Sequence, residues 1–144
     1  MRGFAILLLV LNFSCVATQP QQGIKGQVFW ISGNQLPGPD AVKSAHYGVQ
    51  REVHIYELTT LQDVTMSSDG FFTDIKTRHI TTITTKADGS FMIKLPSGDY
   101  SVFVKEAAGL YANLFNKNNA INPVAVKDGQ YTWLPISIDY EAAY

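Results

Sequence analysis

Thr85-Lys86-Ala87-Asp88-Gly89-Ser90-Phe91-Met92-Ile93-Lys94-Leu95-Pro96-Ser97-Gly98-Asp99-Tyr100-Ser101-Val102-Phe103-Val104 carries two runs of strict alternation separated by a turn. Phe91, Ile93 and Leu95 recur with a period of two, Pro96-Ser97-Gly98-Asp99 interrupts, and Tyr100, Val102 and Val104 resume it. That period belongs to a strand with one buried face. Asp88-Gly89 sets the entry, because glycine accepts positive φ and aspartate can bond its own backbone. The pattern predicts a β-hairpin, with Phe91, Ile93, Tyr100 and Val102 in the core beside Leu134 and Ile136 of a later strand.

Working outward, Gly23 to Ile31 reads as a first strand, in which Gly26 marks a bulge or a close backbone approach. Gly33 to Gly48 contains Pro37 and Pro39 and reads as a long connection. Val49 to Thr59 is a second strand, with Val53 and Ile55 on one face and His54 and Tyr56 on the other. Ser67-Ser68-Asp69-Gly70 signals a turn that can close an extra hairpin, and the Thr- and Ile-rich run from Thr73 to Thr85 is a strand. Beyond the opening stretch, Ala107 to Asn122 suits a loop with at most one helical turn. Pro123 to Val126 is a short strand, Lys127-Asp128-Gly129 a turn, and Tyr131 to Tyr140 a closing strand with Leu134, Ile136, Ile138 and Tyr140 on one face. About seven strands and no amphipathic helix predict an all-β, Greek-key β-sandwich.

The 144 residues are 46% hydrophobic and 16% charged, enough apolar material for one core and too little chain for two. A net charge of −1 without a basic stripe argues against nucleic acid as a partner.

Gly26-x-Val28, Leu36-Pro37-Gly38, Val53-x-Ile55 and Asp88-Gly89-x-Phe91-x-Ile93-x-Leu95-Pro96-x-Gly98-x-Tyr100-x-Val102-x-Val104 together resemble the carboxypeptidase regulatory-like domain, a transthyretin-like sandwich. The resemblance spans most of residues 23–144, although Asp40 to Gln50 and Gly70 to Thr84 are longer than that pattern. It implies a non-catalytic binding or scaffolding module without a cofactor, whose partner is a glycan or an envelope protein. Two other readings are a starch-binding-like carbohydrate module and a small hydrolase. Hydroxyisourate hydrolases of the transthyretin-like fold end in Tyr-Arg-Gly-Ser, whereas this chain ends Tyr140-Glu141-Ala142-Ala143-Tyr144.

His46, His54 and His79 lack metal-ligand spacing, and no serine sits in a nucleophile elbow, so neither a metal nor a catalytic residue is expected. Lys25 and Glu106 stand near where adhesin B-type domains with Lys–Asn isopeptide bonds place a lysine and a glutamate, but a solvated lysine is the simpler expectation. The ligand signal is aromatic: Trp30, Tyr111, Phe115, Tyr131 and Trp133 offer rings for stacking. Tyr111, Asn113, Phe115, Asn116, Asn118 and Asn119 combine apolar area with amides on one connection, and are the expected ligand-binding residues.

Residues 1–17 read as a secretory leader, from Arg2, the apolar run Phe4 to Leu11 and the small residues of Cys15-Val16-Ala17. Residues 18–22 are a tether and 23–144 the domain. The expected product is secreted or periplasmic, with no transmembrane anchor once the leader is removed; the alternative is an outer-membrane lipoprotein acylated at Cys15, the single cysteine. Intact mass after export should place the mature N-terminus near Thr18, and an acylated Cys15 would replace the soluble form by a lipid-anchored one.

Overall fold

The computed structural model describes residues 21–38 and 45–144. Strand pairing occupies 59% of the described residues, and none of them is α-helical, so cohesion comes from ladders and from the packing of faces. The first sheet, A, is built around β1 (Gly23–Asn34). On one side β1 pairs in parallel with β11 (Tyr131–Ala143). On the other it pairs antiparallel with β7 (Ser90–Lys94) over its first half and with β2 (Ala45–Gly48) over its second.

The second sheet, B, is built around β8 (Gly98–Glu106). β3 (Glu52–Glu57) lies along one side of it and leads on to β6 (His79–Thr84). The other side takes β10 (Pro123–Val126) and β9 (Gly109–Tyr111), and the two-residue strands β5 (Phe72–Thr73) and β4 (Thr65–Met66) extend the sheet beyond β9.

The two sheets share one core. Ile24, Val28, Phe91, Leu95, Leu134, Ile136 and Ile138 come from the sheet A side, and meet Val53, Ile55, Tyr100, Val102, Val104, Val124 and Val126 from sheet B. All six residues expected in the core pack there, Ile93 being half-buried against it. Gly26 is a close approach: a Cβ there would fall 2.0 Å from the Leu134 carbonyl oxygen and 2.8 Å from the Phe91 ring. The bulge lies elsewhere, between Trp30 and Ser32.

Several expectations change. The opening stretch is not a hairpin: β7 pairs with β1 in sheet A and β8 belongs to sheet B, so Pro96-Ser97 carries the chain from one sheet to the other. Tyr100 Oη ties the crossing by donating to the Pro96 carbonyl at 2.7 Å. The described residues hold eleven strand segments rather than about seven, because β2 falls inside the expected connection, β9 inside the expected loop, and β4 and β5 form a pair of their own; β1 also runs on to Asn34. The Thr-rich strand begins at His79, and the hairpin at Gly70 is real but short, β4 against β5. Gln22, assigned to the tether, is buried; its amide donates to the Leu95 carbonyl and its Oε1 accepts from Gly129 N–H. Residues 1–20, which hold the leader and Cys15, lie outside the described part.

Sheet B also buries part of its outer face. Phe103, opposite in parity to Val102 and Val104, packs with Phe72, Ala112 and Ile121, and Tyr56, Val64, Ile75 and Leu110 close around them. Val64 and Ile75, from the segments on either side of the β4–β5 hairpin, reach this cluster, and the 3-10 turn Leu61–Asp63 before the hairpin is fixed by the Asp63 carboxylate, which accepts from both Thr60 N–H and Thr60 Oγ1. Replacing Phe91 with Ala should cost about 3–5 kcal/mol through lost transfer energy and a cavity. Replacing Met92, one position on and 62% exposed, should stay within about 0.5 kcal/mol. Equal denaturant midpoints for the two variants would show the face assignment to be wrong.

Candidate functional site

The outer face of sheet B carries a cavity of about 300 Å³ where the turn after β5 stands over β3, β8 and β9. Parity places its floor. Val53 and Ile55 point into the core, so His54 and Tyr56 point outward; on β8 the same rule sends Lys105 outward beside the buried Phe103. Phe72, Ile75 and Leu110 supply apolar walls, while His54, Tyr56, Lys105 and Asp74 supply polar groups. Asp74 holds φ at 50°, a left-handed conformation that aspartate and asparagine adopt more readily than other residues with a side chain. Few convergent polar groups on an apolar lining is the usual composition of a small-molecule site.

Two of the three histidines meet beside this cavity. The ring centroids of His54 and His79 lie 5.8 Å apart, and Tyr56 packs edge-on against His79 at 5.0 Å. Thr82 Oγ1 is 2.8 Å from His79 Nε2 and 3.3 Å from His54 Nδ1. One hydroxyl has one proton to give, so Thr82 donates to at most one of the two rings. His54 Nε2 is buried without a hydrogen-bond partner, the Glu52 carboxylate standing off at 3.8 Å. Burial above all lowers the His54 pKa; Glu52 opposes, and His79 and Lys105 push the same way as burial. His46 lies apart, its ring edge-on to Phe29 at 5.2 Å.

The six residues expected to bind ligand part company. Tyr111 is 6% exposed and belongs to the main core, its hydroxyl donating to Asp139 at 2.6 Å. Asn113 donates to the same carboxylate oxygen at 2.7 Å, and Tyr144 Oη to the other at 2.6 Å. Burial raises the Asp139 pKa, but these three bonds outweigh it and hold the carboxyl below its ordinary range, while burial and Asp139 drive the Tyr111 hydroxyl far up. The side chain of Asn116 accepts from the N–H groups of Asn118 and Ala120, closing a turn in which Asn119 has φ 60°. Asn118 and Asn119 are exposed on that turn. Phe115 is the one ring of the set that is substantially exposed, at 46%, and its edge approaches Phe72 of the second cluster.

The isopeptide partners do not come together either. Glu106 accepts from Arg51 Nε at 2.6 Å and from Tyr140 Oη at 2.8 Å, whereas Lys25 is exposed on sheet A beside Trp133 and Met92. Burial and the bond to Glu106 push the Tyr140 hydroxyl up to about 12. The residues that reasoning from sequence missed are Lys105, Asp74, Ile75 and Leu110. Only the outward parity of His54 and Tyr56 pointed toward them. No family model matches the chain, and neither a curated protein nor a solved structure matches it.

The depressed His54 pKa has a direction in pH. A base held neutral by the fold leaves the unfolded state binding more protons just below about 6.5, so stability is complete above that value and is lost as the pH falls toward the folded pKa. Asp139, also depressed, acts in the separate acid window below the ordinary carboxylate pKa. The denaturant midpoint should therefore drop between roughly pH 7 and pH 5, and His54→Gln should flatten that slope. A wild-type midpoint unchanged across the interval would contradict the buried, uncharged imidazole.

Proposed function

We propose that this chain is an exported, non-catalytic β-sandwich module that acts by binding, as a docking or scaffolding domain of the envelope or the exterior. One observation carries the reading: the cavity on the outer face of sheet B, with Phe72, Ile75 and Leu110 as walls and His54, Tyr56 and Lys105 converging on it. The core does not need this arrangement, since the main core is closed between the sheets. Residues 61–77 build a second cluster on the far side and leave a recess at its margin. Ligand-contacting residues gather on such connections because the strands are committed to packing.

Within this reading the sandwich is of the Greek-key, transthyretin-like kind. In support, β1 takes its ladder partners β7 and β11 from late in the chain, and the path changes sheet between β2 and β3, β6 and β7, β7 and β8, and β10 and β11. The exported address rests on the leader read at residues 1–17. Carbohydrate binding is the second reading, and what favours it is Trp133, 55% exposed on the bare face of sheet A, rather than the connection 107–122.

A fragment screen read by methyl NMR tests the first reading. Hits should move the methyl signals of Ile75 and Leu110, be recovered chemically unchanged, and vanish in Leu110→Trp, which fills the recess. Fragments that bind and leave those signals unmoved would remove the cavity as the site.

A further inference from the structure

Among the described residues no segment covers the outer face of sheet A, and one row of side chains crosses it. Trp133 on β11 is level with Lys25 on β1, and Lys25 is level with Met92 on β7. Both ends of the row are exposed apolar groups, Trp133 at 55% and Met92 at 62%. Trp133 lines two recesses. One, of about 250 Å³, is bounded also by Lys25, Lys86 and Met92. The other, of about 400 Å³, lies between β10 and β11 and includes Lys127, Gln130 and Tyr131.

The charge on this furrow is one-sided. Three lysines line the two recesses, and no aspartate or glutamate does, in a chain whose acids outnumber its bases. Of the acids nearest in sequence, the Asp128 carboxylate is engaged by Ser97 Oγ, which lines neither recess, and the Asp88 carboxylate, at the margin of the first recess, is engaged by the N–H and Oγ of Ser90. A tryptophan on a flat sheet face offers a platform for the C–H face of a sugar ring, and ammonium groups to either side suit carboxylate or sulfate. Gln130, exposed at the end of the second recess, adds an amide able to meet hydroxyls.

We propose that the furrow along Trp133 binds an anionic oligosaccharide, of uronate or sulfated units, one ring stacked on Trp133 with its acidic group at Lys25 and Lys86, and the next unit toward Lys127. The site deepens the second reading above, carbohydrate binding at Trp133, and rests on it; with the first reading it shares only the idea that the chain binds without reacting, and none of its lining residues belongs to the His54 cavity. Two recesses flanking one ring favour an oligomer over a single sugar.

Titration calorimetry with four probes tests it: oligogalacturonate, a sulfated heparin-type oligosaccharide, a neutral maltooligosaccharide and polyglutamate. At least one anionic oligosaccharide should bind, more weakly as salt rises. Trp133→Ala should weaken it about tenfold or more, and the double variant Lys25→Gln, Lys86→Gln should weaken it and reduce the salt dependence. These side chains are exposed, so an unchanged thermal midpoint should certify the fold of each variant. Leu110→Trp, on sheet B, should leave the affinity untouched, which separates this site from the other cavity. Binding of neither anionic oligosaccharide, equal binding of the neutral one, equal binding of polyglutamate, or anionic binding that survives Trp133→Ala would each overturn the proposal.

Discussion

Gly26 has no room for a side chain. The Leu134 carbonyl from β11 and the Phe91 ring from β7 close on its α-carbon from opposite sides of β1, and a Cβ would overlap both. This contact sets how tightly β11, β1 and β7 draw together, because among the described strands of sheet A both β11 and β7 pair with β1 alone. Ile24 and Val28, one pleat to either side of Gly26, are fully buried. The parallel register of β11 then delivers Leu134, Ile136 and Ile138 to the core, and it places Trp133 and Tyr131 outside.

The parity of each strand was legible in the sequence, and its partner was not. Phe91, Leu95, Tyr100, Val102 and Val104 are buried as their alternation requires. A period of two says which side chains share a face. It cannot say whether two successive strands lie edge to edge in one sheet or face to face across a core, because both arrangements turn the same residues inward. A short Pro-Ser-Gly-Asp segment suits either path. Here Gln22, from the far end of the chain, meets the Leu95 carbonyl and the Ser97 hydroxyl, and Tyr100 meets the Pro96 carbonyl, so the crossing is held by contacts that no local pattern contains.

The candidate sites divide along the same line. Tyr111 looked like a recognition residue because its neighbours are asparagines, yet it sits on β9 opposite Val104 and so inherits a core position from a pairing invisible in the sequence. The asparagines were readable as turn formers, and Asn116 acts as one. Trp133 was the more legible case: once Leu134, Ile136 and Ile138 form the inner face, an odd-numbered neighbour must face out. The cavity at His54 was beyond reach, because its walls come from segments as far apart as residues 54, 75 and 110.

The two outer faces of the sandwich have opposite fates, and the cause is where the chain spends its extra length. Between β3 and β6, the β4–β5 hairpin extends sheet B, and Val64 and Ile75 from its two flanks, together with Ala112 and Ile121, help to bury Phe103 and Phe72 completely or nearly so. A phenylalanine at 103 would be a liability without that cover, since an exposed apolar face on a strand invites association. Among the described residues of sheet A no segment plays that part, and its outer face breaks up apolar area with charge instead: Lys25 stands between Trp133 and Met92, and Lys94 beside Met92 along β7. Interleaved lysines keep such a face in water and from pairing with itself. The same spacing leaves a ring and a cation side by side, the pairing on which the proposed site for an anionic sugar rests.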